Sequence, residues 1–270
     1  MKKVIKLTPM NRSQILARIL MTSIALLIAS PSNSETITIG INDYCPLTCL
    51  PQDSKPEGVF ISLLEKTFPA TKYKLSFVFA PYMRSFSLVQ KGELTAITGI
   101  LKQPNEKLVY PKTLAINSYA CTYTRLDSTW RYNPNDLSSL RDATIGMIQY
   151  YGSTAMQRKF SQFNDNMIYL NPGKNSVEER LLRMIIGGRV DTGFLPSISA
   201  NYLIQQHQWE DRIKPSGCGH TIYPETIGFS LANPNAQHYA EQLEKTYQAM
   251  RLDGSFSTLL ESYGIQNTPE

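Results

Sequence analysis

The sequence predicts an α/β protein in which two units of one grammar follow each other along the chain. Three observations carry this: short alternating or apolar runs of strand length, amphipathic stretches of helical length between them, and a β-α-β-α-β order written once before residue 120 and again after Asp136. Strands that alternate with helices in this way pair in parallel, with the helices covering the sheet faces.

In the first unit Ile37, Ile39 and Ile41 alternate, which is a strand pattern, and the proline-containing stretch 43–58 reads as a loop. A helix is expected over about 59–68, a strand over 73–79 (YKLSFVF), a helix over 84–91 and a strand over 94–98. The second unit gives a strand at 144–148, a helix from about Ser153, a strand at 167–170, a helix at 177–186 and a strand at 190–194. LVQKGELTAI (88–97) and MIIGGRVDTG (184–193) share a helix end, a glycine (Gly92 or Gly188) and then a strand, a weak internal repeat that uses the glycine preference just past a helix.

A strand at about 226–231 and helices at 237–250 and 255–263 complete the chain. One strand builds no third sheet. These elements are therefore expected to return to the first unit, so that the chain crosses between units twice, near 118–124 and near 221–228.

Lys2, Lys3, Lys6, Arg12 and Arg18 precede an apolar run over 19–29, and no acidic residue comes before Glu35. That order is expected of a cleavable export signal over residues 1–34, cut near Ser34, which would place the rest of the chain in the periplasm. Removing it takes five of the 27 basic side chains and none of the 22 acidic ones, which leaves no net charge. A nucleic-acid-binding surface should be strongly cationic, so no nucleic-acid partner is expected.

Cys45, Cys49, Cys121 and Cys218 all follow the leader, and an even count in an exported chain suggests disulfides. Three pairings are possible. The preferred one joins Cys45 to Cys49 in a small loop and Cys121 to Cys218 across distant sequence. His207, His220 and His238 form no ligand cluster, so neither a metal nor another cofactor is expected. A Gly-x-Ser-x-Gly elbow and paired histidines are both absent from the sequence, which argues against an enzyme.

The stretches ITIGINDYCPL with PEGVFISLLEK, PYMRSFSLVQKGELTAITG, ATIGMIQYYGS, RLLRMIIGGRVDTGF and DGSFSTLLESYGI together span most of the chain beyond the leader. On them the sequence resembles the type II periplasmic solute-binding proteins, as a divergent member of family 3, the polar amino acid ABC-transporter substrate-binding group. The resemblance implies two lobes, residues 35–120 with 224–270 and residues 121–223, each a mainly parallel sheet flanked by helices and joined by two hinge crossings. It also implies a monomer that closes on a small-molecule ligand by hinge motion and passes it to a membrane permease, or reports it to a membrane sensor protein. A Cys121–Cys218 disulfide would brace the hinge.

Ligand contacts in open α/β sheets come from loops at the carboxyl ends of strands. Tyr44 follows the first strand and could stack on a ligand, Arg84 follows a proline-aromatic pair and could hold a carboxylate, and Thr98 and Gly99 end the third strand. Tyr150, Tyr151, Gly152, Ser153 and Thr154 form a strand-to-helix turn whose free N–H groups suit an anion, and Ser153 is also an N-cap candidate. Asp191 matches an aspartate of the family, with a structural hydrogen-bonding role preferred. Two departures stand out: 101–111 (LKQPNEKLVYP) lacks the arginine that holds an α-carboxylate, and Leu195 and Pro196 stand where an acid takes the α-amino group. A small polar or anionic solute is expected rather than an ordinary α-amino acid.

Overall fold

The computed structural model describes residues 34–50, 55–102, 107–149, 160–162, 165–173 and 176–265. The expected export signal therefore lies outside the described residues, as do Tyr150, Tyr151, Gly152, Ser153 and Thr154.

The first unit runs β1 (Glu35–Ile41), α1 (Val59–Thr67), β2 (Tyr73–Phe79), α2 (Tyr82–Gln90) and β3 (Ala96–Leu101). Its strands lie in the order β2-β1-β3, and both ladders are parallel. The second unit contains β6 (Ile145–Ile148), β7 (Met167–Leu170), α3 (Val177–Ile186) and β8 (Thr192–Pro196), again all parallel, with the strands ordered β7-β6-β8. In each unit the first strand is central, the second is outermost and the third is innermost.

Two long antiparallel strands join the units. β5 (Ile116–Arg125) and β9 (Ile213–Ser230) pair with each other; β9 goes on to pair with β3 and the short β4 (Leu108–Val109), while β5 pairs with β8. The expected crossings at 118–124 and 221–228 fall on this ribbon. The strand expected at 226–231 proves to be the last part of the 18-residue β9. The sequence reading also passed over α4 (Ser197–Gln206), which follows Pro196 directly.

The weak repeat is structural. Gly92 and Gly188 both take left-handed φ, 78° and 68°. Each is followed by the same reach-back bond, Glu93 N–H to the Leu88 carbonyl and Arg189 N–H to the Met184 carbonyl, the six-to-one bond of a Schellman ending. Three residues past each glycine stand Thr95 and Asp191. Thr95 N–H donates to Thr38 Oγ1 at 3.1 Å, and the Asp191 carboxylate accepts from Thr144 N–H at 2.8 Å. Both bonds tie the start of a unit's third strand to its first strand, at Thr38 in the middle of β1 and at Thr144 just before β6.

Helix and sheet approach closely at equivalent places. Gly146 and Gly193 are register partners on β6 and β8, and Leu181 of α3 lies over both; a Cβ would meet its Cδ1 at 2.3 Å from Gly146 and 2.9 Å from Gly193. Gly40 of β1 occupies the corresponding place under Ser85 of α2, with 2.9 Å to Ser85 Cβ. The first core then fills around Ile37, Ile39, Phe60, Leu64 and an edge-to-face cluster of Phe68, Tyr73, Phe229 and Tyr239. Phe229 and Tyr239 come from the C-terminal segment, which returns to the first unit through α5 (Ala236–Leu252) and α6 (Ser255–Ser262). Separate clusters serve the second unit, around Leu181, Leu182 and Ile185 on one face and Tyr132, Phe160 and Phe194 on the other.

Both preferred disulfides are formed, and Cys121 and Cys218 are register partners on β5 and β9, separated by 97 positions. Replacing both by serine should lower unfolding free energy by about 2–4 kcal/mol, mainly by freeing the unfolded chain, as read from urea melts. Gly193→Ala should cost about 1–3 kcal/mol through crowding against Leu181. In a Leu181→Ala background that cost should largely vanish, giving a measurable coupling between the two sites.

Candidate functional site

The carboxyl ends of strands from both units face one cavity of roughly 130 Å³ beside the ribbon. The first unit supplies Asn42 and Tyr44 after β1, Tyr82 at the start of α2, and Gly99 and Leu101 on β3. Met147 and Ile148 end β6, and Phe194, Leu195 and Pro196 end β8. The ribbon adds Ser118, Tyr119 and Ala120 from β5, and Tyr223 and Glu225 from β9.

Tyr44 is held by the loop that carries it. Its backbone pairs with Thr48, donating to the Thr48 carbonyl at 2.7 Å and accepting from Thr48 N–H at 3.0 Å, beside the Cys45–Cys49 bridge. Thr48 Oγ1 donates to Thr98 Oγ1 at 3.2 Å, so the loop is tied to β3. The Asp43 carboxylate accepts from Leu50 N–H at 3.2 Å. Burial pushes the Asp43 carboxyl up.

With the loop fixed, the Tyr44 hydroxyl donates to Glu225 Oε1 at 2.6 Å. Glu225 Oε2 is buried and has no hydrogen-bond partner among the described residues. Burial pushes the Glu225 carboxyl up to about 8; the Tyr44 bond pulls it down, and the negative Glu178 of α3 raises it further. Glu178 is itself fully buried, and its Oε2 accepts from Ser176 Oγ at 3.0 Å. Gly99, at φ 66°, passes beside this pair: a Cβ there would lie 3.5 Å from the Tyr44 ring and 3.9 Å from Glu225 Oε2.

The sequence-predicted residues divide. Tyr44 and Gly99 line the cavity. Thr98 is buried and serves the loop instead, through Thr48. Arg84 is exposed on α2 and outside the lining, where Tyr82 stands in its place, because the first turn of α2 presents Tyr82 inward. Asp191 lies at the amino end of β8, the far end from the cavity, and its bond to Thr144 fulfils the structural role. Lys102, in the stretch that lacks the arginine, donates its ammonium to the carbonyls of Pro111 and Lys112. The turn 150–154 lies outside the described residues. Glu225 was missed; its only signal was a charged residue beside the second expected crossing.

Two α/β units, a double-stranded connection and a cavity at the strand carboxyl ends define the two-lobed fold of periplasmic binding proteins. Solved structures carry the same fold. A histidine kinase sensor domain with similarity to periplasmic binding proteins is 15% identical, with TM-score 0.69 over 87% of this chain and 100% of that one. A structure concerned with glutathione import via GshT and the cystine ABC importer TcyBC of Streptococcus mutans is 16% identical, with TM-score 0.71 over 88% and 98%. An amino acid ABC transporter substrate-binding protein from Streptococcus pneumoniae, bound to L-arginine, is 13% identical, with TM-score 0.68 over 84% and 94%. No protein-family model matches the sequence, and no curated protein matches it.

The Glu225 carboxyl titrates higher in the folded state than in the unfolded one, so its contribution to stability is complete below about pH 4.5 and is lost as pH rises to about 8. The ligand-free protein should lose a few kcal/mol from this group across that window. Glu225→Gln should flatten that part of the profile, as measured by urea unfolding at roughly pH 5, 7 and 9.

Proposed function

We propose that this chain is an extracytoplasmic solute-binding protein that captures a small polar molecule between two lobes and presents it to a membrane transporter. The observation that carries the reading is the cavity, lined in near-equal measure by strand ends of both units and by the ribbon that joins them. A ligand there touches both lobes at once, so its binding energy favours the arrangement in which they meet. The lobes are taken as residues 35–120 with 224–270 and residues 121–223. The Asp43 carboxyl of one lobe is raised in part by the charge of Glu179 on the other. Export by the leader 1–34 supplies the compartment in which both disulfides form.

The likeness to both a sensor domain and transporter-associated proteins leaves two destinations for the ligand-bound state, a permease or a signalling protein. A catalytic reading is favoured by one observation, the raised carboxyl of Glu225 beside Tyr44 in an enclosed site, which is the profile of a proton-transfer group. Binding accounts for the same pair with fewer parts, because it needs no second acid or base.

A thermal-shift screen of residues 35–270 against amino acids, organic acids, amines and short peptides should find a class that raises Tm; at one hundred times Kd the stabilisation is about 2.7 kcal/mol. Small-angle scattering should show contraction with that compound. Gly99→Val should abolish the shift, since a side chain at φ 66° is strained and points at Tyr44 and Glu225. If the compound is recovered chemically altered, the catalytic reading replaces this one.

A further inference from the structure

We infer that the ligand is a small organic cation whose protonated amine donates to Glu225 Oε2 and Ser118 Oγ. The inference rests on the cleft-binding reading and specifies its ligand class.

Glu225 Oε2 and Ser118 Oγ are the two atoms of the cavity lining that are buried without a hydrogen-bond partner among the described residues. Both belong to the ribbon. Glu225 is the register partner of Ile116, and Ser118 that of Tyr223, so the two side chains lie on one face of the β5–β9 pair, diagonally across the strands. A buried carboxylate oxygen and a buried hydroxyl left unsatisfied cost free energy, and an ammonium group, with three N–H donors, satisfies both at once.

The rest of the described lining suits the same group. It holds no lysine or arginine, so an anionic ligand would find no cation to pair with among these residues. Tyr44, Tyr82, Tyr119, Phe194 and Tyr223 surround the space with aromatic rings, whose faces attract cations. An N–H donor is required rather than a fully alkylated nitrogen, because only a donor completes Oε2.

The titratable groups acting on Glu225 are Tyr44 from the loop after β1 and Glu178 from α3, while Tyr82 of α2, Tyr119 of β5 and Tyr223 of β9 line the same cavity. Glu178 is acidic and the others are phenols. A cation entering this site therefore binds the ionised carboxylate and displaces its proton. Apparent affinity should rise about tenfold per pH unit up to about pH 8 and level off above it. A neutral ligand that accepts from the protonated carboxyl would show the opposite slope.

The test is isothermal titration of residues 35–270 with agmatine, putrescine, L-lysine and L-arginine, alongside N-acetylated, uncharged and dicarboxylate compounds of similar size, at several pH values. The expected result is binding by an amine with proton release and the rising profile. Glu225→Gln should weaken that amine at least a hundredfold and remove the pH dependence. Tyr44→Phe, which keeps the ring and removes the donor to Oε1, should move the levelling-off point to higher pH. Binding confined to anionic or uncharged compounds, a falling profile, or Glu225→Gln binding the amine as tightly as the parent would overturn the cation assignment while leaving the cleft-binding reading intact. Absence of binding by any compound at any pH would overturn both.

Discussion

The ribbon of β5 and β9 is the constraint on which the two halves depend. β9 pairs with β3 along its later part and with β5 along its earlier part, and β5 in turn pairs with β8. Among the described residues, the parallel triplets on either side have no other backbone pairing to each other. Backbone pairing between the halves runs through this antiparallel connection, which the Cys121–Cys218 bridge holds together at a register pair. The same two strands also carry Ser118, Tyr223 and Glu225 into the cavity, so the two buried unpartnered side-chain groups of its lining sit on the element that links the lobes. A change in the ribbon's twist would alter the site and the lobe arrangement together.

Much of the fold was legible because each unit repeats a small set of local rules. Alternating isoleucines named β1, and glycines in left-handed geometry ended α2 and α3 in the same way. The family resemblance offered Asp191 as a ligand contact, but the repeat explains it better. Asp191 stands where Thr95 stands in the first unit, and both tie the start of a third strand to a first strand. Position relative to the preceding glycine was the informative signal, and it pointed to the strand's amino end.

The ribbon was less legible. β9 contains Pro215, Gly217, Gly219 and Pro224, residues that mark turns when judged locally, so only its last, apolar part read as a strand. Pairing with β5 and β3 overrides those preferences, and the register shifts on β5 opposite this stretch absorb the irregularity. Glu225 was hidden for the same reason: next to a proline at an expected crossing it looked like a solvated turn residue, whereas the long strand carries it into the interior. α4 was passed over because Pro196 reads as a break, while here it precedes the first turn of the helix directly.

The Cys45–Cys49 clip closes a span of four positions, too short to contribute much to global stability, yet it lies within the loop that aims Tyr44 at Glu225. Its value is therefore local order rather than overall robustness. With Cys45 and Cys49 alone reduced, the protein would retain both cores and a native-looking spectrum while presenting a loosened tyrosine. A preparation judged by folding alone would then pass for competent when its recognition surface was not.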